Sequence, residues 1–155
     1  MPNKPVNEAP RIEAASEPAP KGDSNHFRIK CTHAIDGTFA GWLDYSGPGN
    51  WVWLSGPENP PGGMIFYDYY YGGARYLVPS GVYPGDDRYL GLNSTSGNTR
   101  AAWNLWARAS AIDWDGTHYI NSHDNPQQHL IDAGDGYVNW DTRTDTALNC
   151  QRVAV

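Results

Sequence analysis

Phe39-Ala40-Gly41-Trp42-Leu43, Tyr89-Leu90-Gly91-Leu92-Asn93 and Tyr137-Val138-Asn139-Trp140-Asp141 are three versions of one strand-like phrase that opens on an aromatic residue. Their aromatic starts lie 50 and then 48 residues apart. A second strand-like run follows each: Trp51-Val52-Trp53-Leu54, Ala102-Trp103-Asn104-Leu105 and Ala147-Leu148-Asn149-Cys150. Farther on, Tyr76-Leu77-Val78-Pro79-Ser80-Gly81 is echoed by His129-Leu130-Ile131-Asp132-Ala133-Gly134. A period of about fifty residues marks supersecondary units that bury their apolar faces against one another. The chain reads as two and a half such units: Gly37 to about Gly85, Asp86 to about Asp135, and a third holding only the opening pair. The missing half of the third is expected from Phe27-Arg28-Ile29-Lys30-Cys31, an alternating strand at the other end. That completion requires the first and last strands to meet.

Composition supports a loop-rich β protein. Twelve aspartates stand against the single Glu58 in residues 28–155, and aspartate favours turns where glutamate favours helices. Seventeen glycines, twelve prolines and a wealth of tryptophan and tyrosine point the same way. With 155 residues the chain has room for one domain with a sizeable core. Residues 1–26, rich in Pro, Ala and Glu and without an aromatic, read as a disordered leader, and residues 27–155 as a single all-β repeat domain. Ala101-Ala102-Trp103-Asn104-Leu105-Trp106-Ala107-Arg108-Ala109 suits a short helix or a strand, and its place in the repeat favours the strand.

Several function classes are disfavoured at this stage. A net charge of −6 and a single lysine after residue 27 argue against a grip on nucleic-acid phosphates. No apolar run reaches the ~18 residues of a membrane span. The N-terminus lacks the apolar core of a secretory signal, so the expected location is cytoplasmic or outside the cell by a non-classical route. Hydrolysis of a glycoside needs two carboxylates at a set separation, and no pair stands out. A nucleophile elbow and a phosphate loop are both missing. Asn93-Ser94-Thr95 is a glycosylation sequon, meaningful only in a eukaryotic secretory pathway.

About ten strands in threefold pseudo-repeats of this length resemble the β-trefoil. Arg88-Tyr89-Leu90-Gly91-Leu92-Asn93 looks like the strand that opens each unit in the ricin-B-like and fascin-like branches. The resemblance covers residues 37–150 and is one of pattern. The Gln-x-Trp motif of ricin-type lectins is absent, its place being held by Trp103-Asn104-Leu105-Trp106, so no sugar-binding residue carries across. The resemblance implies a pseudo-threefold barrel with a lectin's role. A β-sandwich of two similar halves and a crystallin-like arrangement also house such repeats.

Sugars stack their C–H faces on aromatic rings while their hydroxyls seek Asp and Asn, so aromatics beside these residues form the expected glycan site. The candidates are Trp42 with Asp44, Tyr69 with Tyr70, Trp114 with Asp115, and Trp140 with Asp141. Asn121, His123, Asp124 and Asn125 join them as the chain's richest hydrogen-bonding stretch. Strand alternation sends about half of all rings to the core, Trp103 and neighbours of the Trp51/Trp53 pair among them. His118, His123, His129 and Asp124 match no zinc spacing and read as a polar loop. Asp113-x-Asp115-Gly116 and Asp132-x-x-Asp135-Gly136 resemble fragments of calcium loops but lack the closing acid, and so read as Asp-Gly turns. No cofactor is expected, with calcium the one option kept open. Cys31 and Cys150, in the first and last strands, are either one disulfide or two buried thiols.

The leading expectation is a non-catalytic carbohydrate-binding module or lectin that recognises glycans or glycoconjugates, alone or as the targeting part of a toxin. The alternative is a protein-binding module, an inhibitor or toxin component, using the Ser55–Gly63 loop or the Tyr67–Tyr71 strand. A hydrolase acting on a polysaccharide ranks third.

Overall fold

The computed structural model describes residues 26–46, 50–80, 89–95, 98–104 and 108–155. The expected leader lies outside these residues except for His26, as do Leu105 and Trp106. Among the described residues twelve strands follow in order. They are β1 (Phe27–His33), β2 (Phe39–Ser46), β3 (Trp51–Ser55), β4 (Phe66–Tyr71), β5 (Ala74–Pro79) and β6 (Tyr89–Thr95). The remaining six are β7 (Asn98–Asn104), β8 (Ile112–Asp113), β9 (Asn121–Ser122), β10 (His129–Asp132), β11 (Val138–Asp141) and β12 (Leu148–Ala154).

Every pairing is antiparallel, and the order β11-β10-β9-β8-β5-β4-β1-β2-β3-β7 returns from β7 to β11, so ten strands close into a barrel. Closure removes the free edges a sandwich would leave. β6 pairs onto β7 and β12 onto β1. Phe27 faces Ala154 and His33 faces Leu148, so the first and last strands meet along the full length of β1. The other side of β12 is taken by the segment before β9: the Cys150 N–H donates to the His118 carbonyl (3.0 Å) and the Arg152 N–H to Gly116 (2.8 Å).

Three hairpins, β2–β3, β6–β7 and β10–β11, gather at one end. Trp51 of β3 pairs with Ala102 of β7, Arg100 of β7 with Asn139 of β11, and Trp53 of β3 with Tyr137. This corrects the sequence register of the third unit. The phrase beginning at Tyr137 is the second strand of its hairpin, and the first is His129–Asp132. The turn between them decides the pairing. Asp132 and Asp135 accept the amides of Gly134 (2.8 Å) and Tyr137 (3.1 Å), while Gly134 and Gly136 both take φ +91°. A Cβ at Gly136 would stand 2.5 Å from the Trp53 ring, so this glycine is required twice over.

Strand alternation builds two cores. Phe27, Ile29 and Cys31 of β1 and Val52 and Leu54 of β3 enter the main core with Trp103, Trp114 and Trp140. The β4–β5 hairpin is used on both faces: Phe66 and Leu77 serve the main core, while Tyr69, Ala74, Tyr76 and Val78 form a second one with Tyr89, Ala109 and Ala111. That divides the aromatic run by parity, as period-two geometry requires. The ambiguous segment is strand through Asn104, with Ala101, Ala102 and Trp103 all fully buried. Cys31 and Cys150 are opposite one another in the β1–β12 register and are free thiols. Among the described residues no helix is long and apolar enough to cross a membrane.

Candidate functional site

Between β8 and β9 the chain makes a tight excursion governed by one aspartate. Asp115 Oδ1 accepts the amides of Thr117 and His118 (both 2.8 Å), and Oδ2 accepts from His118 Nδ1 (2.7 Å). Gly116 supplies the positive φ (+87°) that lets the chain reverse. The His118 ring first, and then the two amides, hold the Asp115 carboxyl far below the ordinary carboxylate range.

The excursion walls a cavity of about 470 Å³ lined by Asp113, Trp114, Asp115, His118, Tyr119, Asn121 and Asn149. Trp114 is its anchored side, only 8% exposed. Its indole N–H donates to the Cys150 carbonyl (2.7 Å), and its ring packs on Phe27 at 5.8 Å. The Arg75 and Arg152 guanidiniums approach the same ring at 5.0 and 5.2 Å. Asp68 holds both arginines at 2.8 Å, and Arg75 also donates to the Trp114 carbonyl. Trp114 therefore has almost no freedom to move.

Tyr119 is half-buried and stacks on His129 at 4.4 Å. His129 is buried, and its Nε2 lies 2.6 Å from the Arg143 carbonyl. A carbonyl only accepts, so Nε2 carries the proton there. Asn121 donates its amide nitrogen to Pro126 (2.9 Å), which leaves its oxygen as an acceptor. Asp113 is approached by His123 Nδ1 at 3.0 Å. The wall thus combines a fixed indole, a braced phenol, two exposed carboxylates and two side-chain amides. Such a surface offers stacking and hydrogen bonding to a small polyhydroxylated molecule.

Of the residues singled out from sequence, the cavity collects Trp114, Asp115 and Asn121, and His123 reaches it through Asp113. Asp124 and Asn125 are exposed on the adjoining loop, where the Asn125 amide donates to Ser122 Oγ (3.1 Å). The others stand elsewhere. Trp42 is buried and shares its indole N–H between the carbonyls of Pro57 (3.1 Å) and Glu58 (3.3 Å). Asp44 accepts the Tyr45 amide, and its carbonyl receives the indole of Trp103 (3.2 Å). Trp140 is buried and donates to Gly91 (3.1 Å), and Asp141 accepts the amides of Thr142 and Arg143. Tyr69 lies in the second core, whereas Tyr70 is 52% exposed on β4.

His118, Tyr119 and Asn149 line the cavity without being among the expected ligand residues, and Asp113 enters that expectation only as the flank of the Trp114-Asp115-Gly116 stretch. Tyr119 and His118 sit inside the polar stretch already singled out, so composition was the available signal. Asn149 is brought in by β12 pairing, which no local pattern announces. The three loop histidines go to separate partners: His118 to Asp115, His123 to Asp113, His129 to Arg143. Among the described residues, no three His, Cys, Asp or Glu side chains gather as a metal-binding group.

No family model matches this sequence, and no curated protein matches it. A solved structure does share its fold: the GlcNAcα1-4Gal-releasing endo-β-galactosidase from Clostridium perfringens, at a TM-score of 0.53 and 12% identity. The likeness covers 82% of this chain and 32% of the enzyme chain, so this protein spans about a third of that chain's length.

Proposed function

We propose that this protein is a non-catalytic carbohydrate-binding module on a β-trefoil-like body, and that the Asp113–Asn121 cavity is its glycan site. The observation that carries the reading is the pairing of a clamped Trp114 and a braced Tyr119 with four hydrogen-bonding side chains around one open cleft. The trefoil reading is supported by the three hairpins that meet through β3, β7 and β11, and by β1, β4, β5, β8, β9 and β12, which run beneath them. A structural neighbour that acts on carbohydrate is consistent with a glycan partner.

Asp113 and Asp115 act as acceptors, so the ligand supplies donors: neutral sugars with adjacent hydroxyls fit, and sulfated or sialylated termini meet two carboxylates. A glycosidase pairs a carboxylic acid that donates its proton with an ionised carboxylate, and the lowered pKa of Asp115 suits only the second of these roles, which supports the non-catalytic reading. Whether the module acts alone or targets a toxin is a question of what accompanies it.

A second reading, a protein-binding module, draws on a different surface. Trp51 and Tyr137 meet edge-on at 4.9 Å with the Arg100 guanidinium 5.0 Å from each ring, a residue mix typical of protein hot spots. A glycan array with the full chain, with and without calcium, separates the two. Binding to a neutral glycan class that Asn121→Ala and Asn149→Ala weaken about three- to tenfold supports the lectin. A silent array with folded protein overturns it. Release of reducing ends from a bound glycan would overturn the non-catalytic assignment.

A further inference from the structure

The β1–β12 pair carries two cysteines in a geometry that the lectin reading leaves unused. In an antiparallel ladder a residue's N–H and C=O point to the same side. The Cys150 N–H goes to the His118 carbonyl (3.0 Å), and its C=O receives the Trp114 indole (2.7 Å), so both backbone groups turn away from β1. Cys31 and Cys150, direct partners in the register, are therefore a non-hydrogen-bonded pair. Such pairs hold their Cα atoms about 4.5 Å apart with side chains close together, inside the ~4.4–6.8 Å range of disulfides. Neither thiol is exposed to solvent, and the Cys150 thiol donates to the Leu148 carbonyl (3.9 Å). The neighbouring Cys150 side chain and then burial push the Cys31 thiol well above its ordinary value, which makes it a poor nucleophile once folding is complete.

We propose that Cys31 and Cys150 are a disulfide-forming site, oxidised while the chain folds by exchange with a small disulfide such as oxidised glutathione. One cysteine thiolate attacks a glutathione disulfide sulfur, forming a mixed disulfide and releasing one glutathione thiolate. The second cysteine thiolate attacks the protein sulfur of that mixed disulfide, forms the Cys31–Cys150 bond and releases the second glutathione thiolate. The protein gives up two electrons and two protons, and the oxidant leaves as two thiols. The bond joins the first and last strands and encloses nearly the whole barrel. It also anchors the cavity: Cys150 is held to Trp114 and His118 through its backbone, and Asn149 beside it is a lining residue. This site stands independently of the ligand assigned to the cavity.

The test is to refold the full chain with a glutathione redox buffer and, separately, with excess reductant, and to map its peptides without reduction. The expected result is a monomer 2 Da lighter in which the Cys31 and Cys150 peptides are joined. Its thermal midpoint should lie on the order of 10 °C above the reduced form. Hydrogen exchange over residues 114–121 should be slower in the oxidised form, and Cys31→Ala with Cys150→Ala should abolish the difference between buffers. Native-like protein with both thiols free to alkylation, glutathione adducts or intermolecular dimers would overturn the proposal. The same peptide map on protein produced in an oxidising and in a reducing cell compartment decides the matter without a refolding step.

Discussion

Tryptophan does opposite work at two ends of this barrel. At the hairpin end, Trp103 and Trp140 each lie in one hairpin and donate to a backbone carbonyl of another, Trp103 to Asp44 and Trp140 to Gly91. The indoles there are the stitching of the barrel's closure. In the β8–β9 region Trp114 is nearly as buried and equally bonded, yet it sits against an open cleft walled by Asp113, Asp115, Asn121 and Asn149. A buried polar tip has to be satisfied in both places. What separates them is the company of acceptors that are left facing outward. In the proposed lectin reading it is this company, and not the burial of the indole, that sets Trp114 apart.

The largest effect that tests this contrast is Trp103→Ala. Removing a fully buried ring that stacks on Phe66 at 5.3 Å should cost about 3–5 kcal/mol, read by denaturant unfolding. Unchanged stability with lost glycan binding would move the site to the hairpin end. Next comes Gly136→Ala, which forces a side chain into φ +91° and against the Trp53 ring. A loss of about 1–3 kcal/mol is expected, with glycan affinity intact in the folded fraction.

Trp114→Phe sharpens the comparison at the other end. It keeps an aromatic surface and strands the Cys150 carbonyl, so stability should fall by roughly 1–2 kcal/mol. Glycan affinity should drop as well, measured by titration calorimetry, whereas Trp140→Phe should affect stability alone. The smallest effect belongs to Asp115→Asn. The folded pKa of Asp115 is depressed, so its contribution to stability is complete above the unfolded carboxylate value of about 4 and fades as pH falls below that. Unfolding from pH 6 to pH 2 should show a shallower acid decline in the variant, along with about three- to tenfold weaker glycan binding at neutral pH. An unaltered acid decline would mean that the His118 and amide bonds do not hold the ionised form.

Much of the architecture was legible because strands announce themselves by alternation and turns by their residues. The Phe27–Cys31 strand, the hairpin openings at Phe39 and Tyr89, and the Asp-Gly turns were all visible in this way. The third hairpin was misregistered because Tyr137 imitates the opening aromatic, while the true opener, His129, is a polar residue buried by its neighbours. Asp115, Trp114 and Asn121 were readable as a group that lines one cavity because they lie within a few positions of one another. Trp42 and Trp140, in equally suggestive settings, had carbonyl partners far away in sequence that no local pattern reveals.

By itself the sequence determined an all-β body: period-two patterning, turn chemistry and the scarcity of helix formers act within a few residues and need no tertiary context. Only the tertiary structure decided which rings became core, how Asn149 reached the cavity, and that Cys31 faces Cys150. Those outcomes rest on strand register, and register is settled by long-range pairing and by burial on both faces at once.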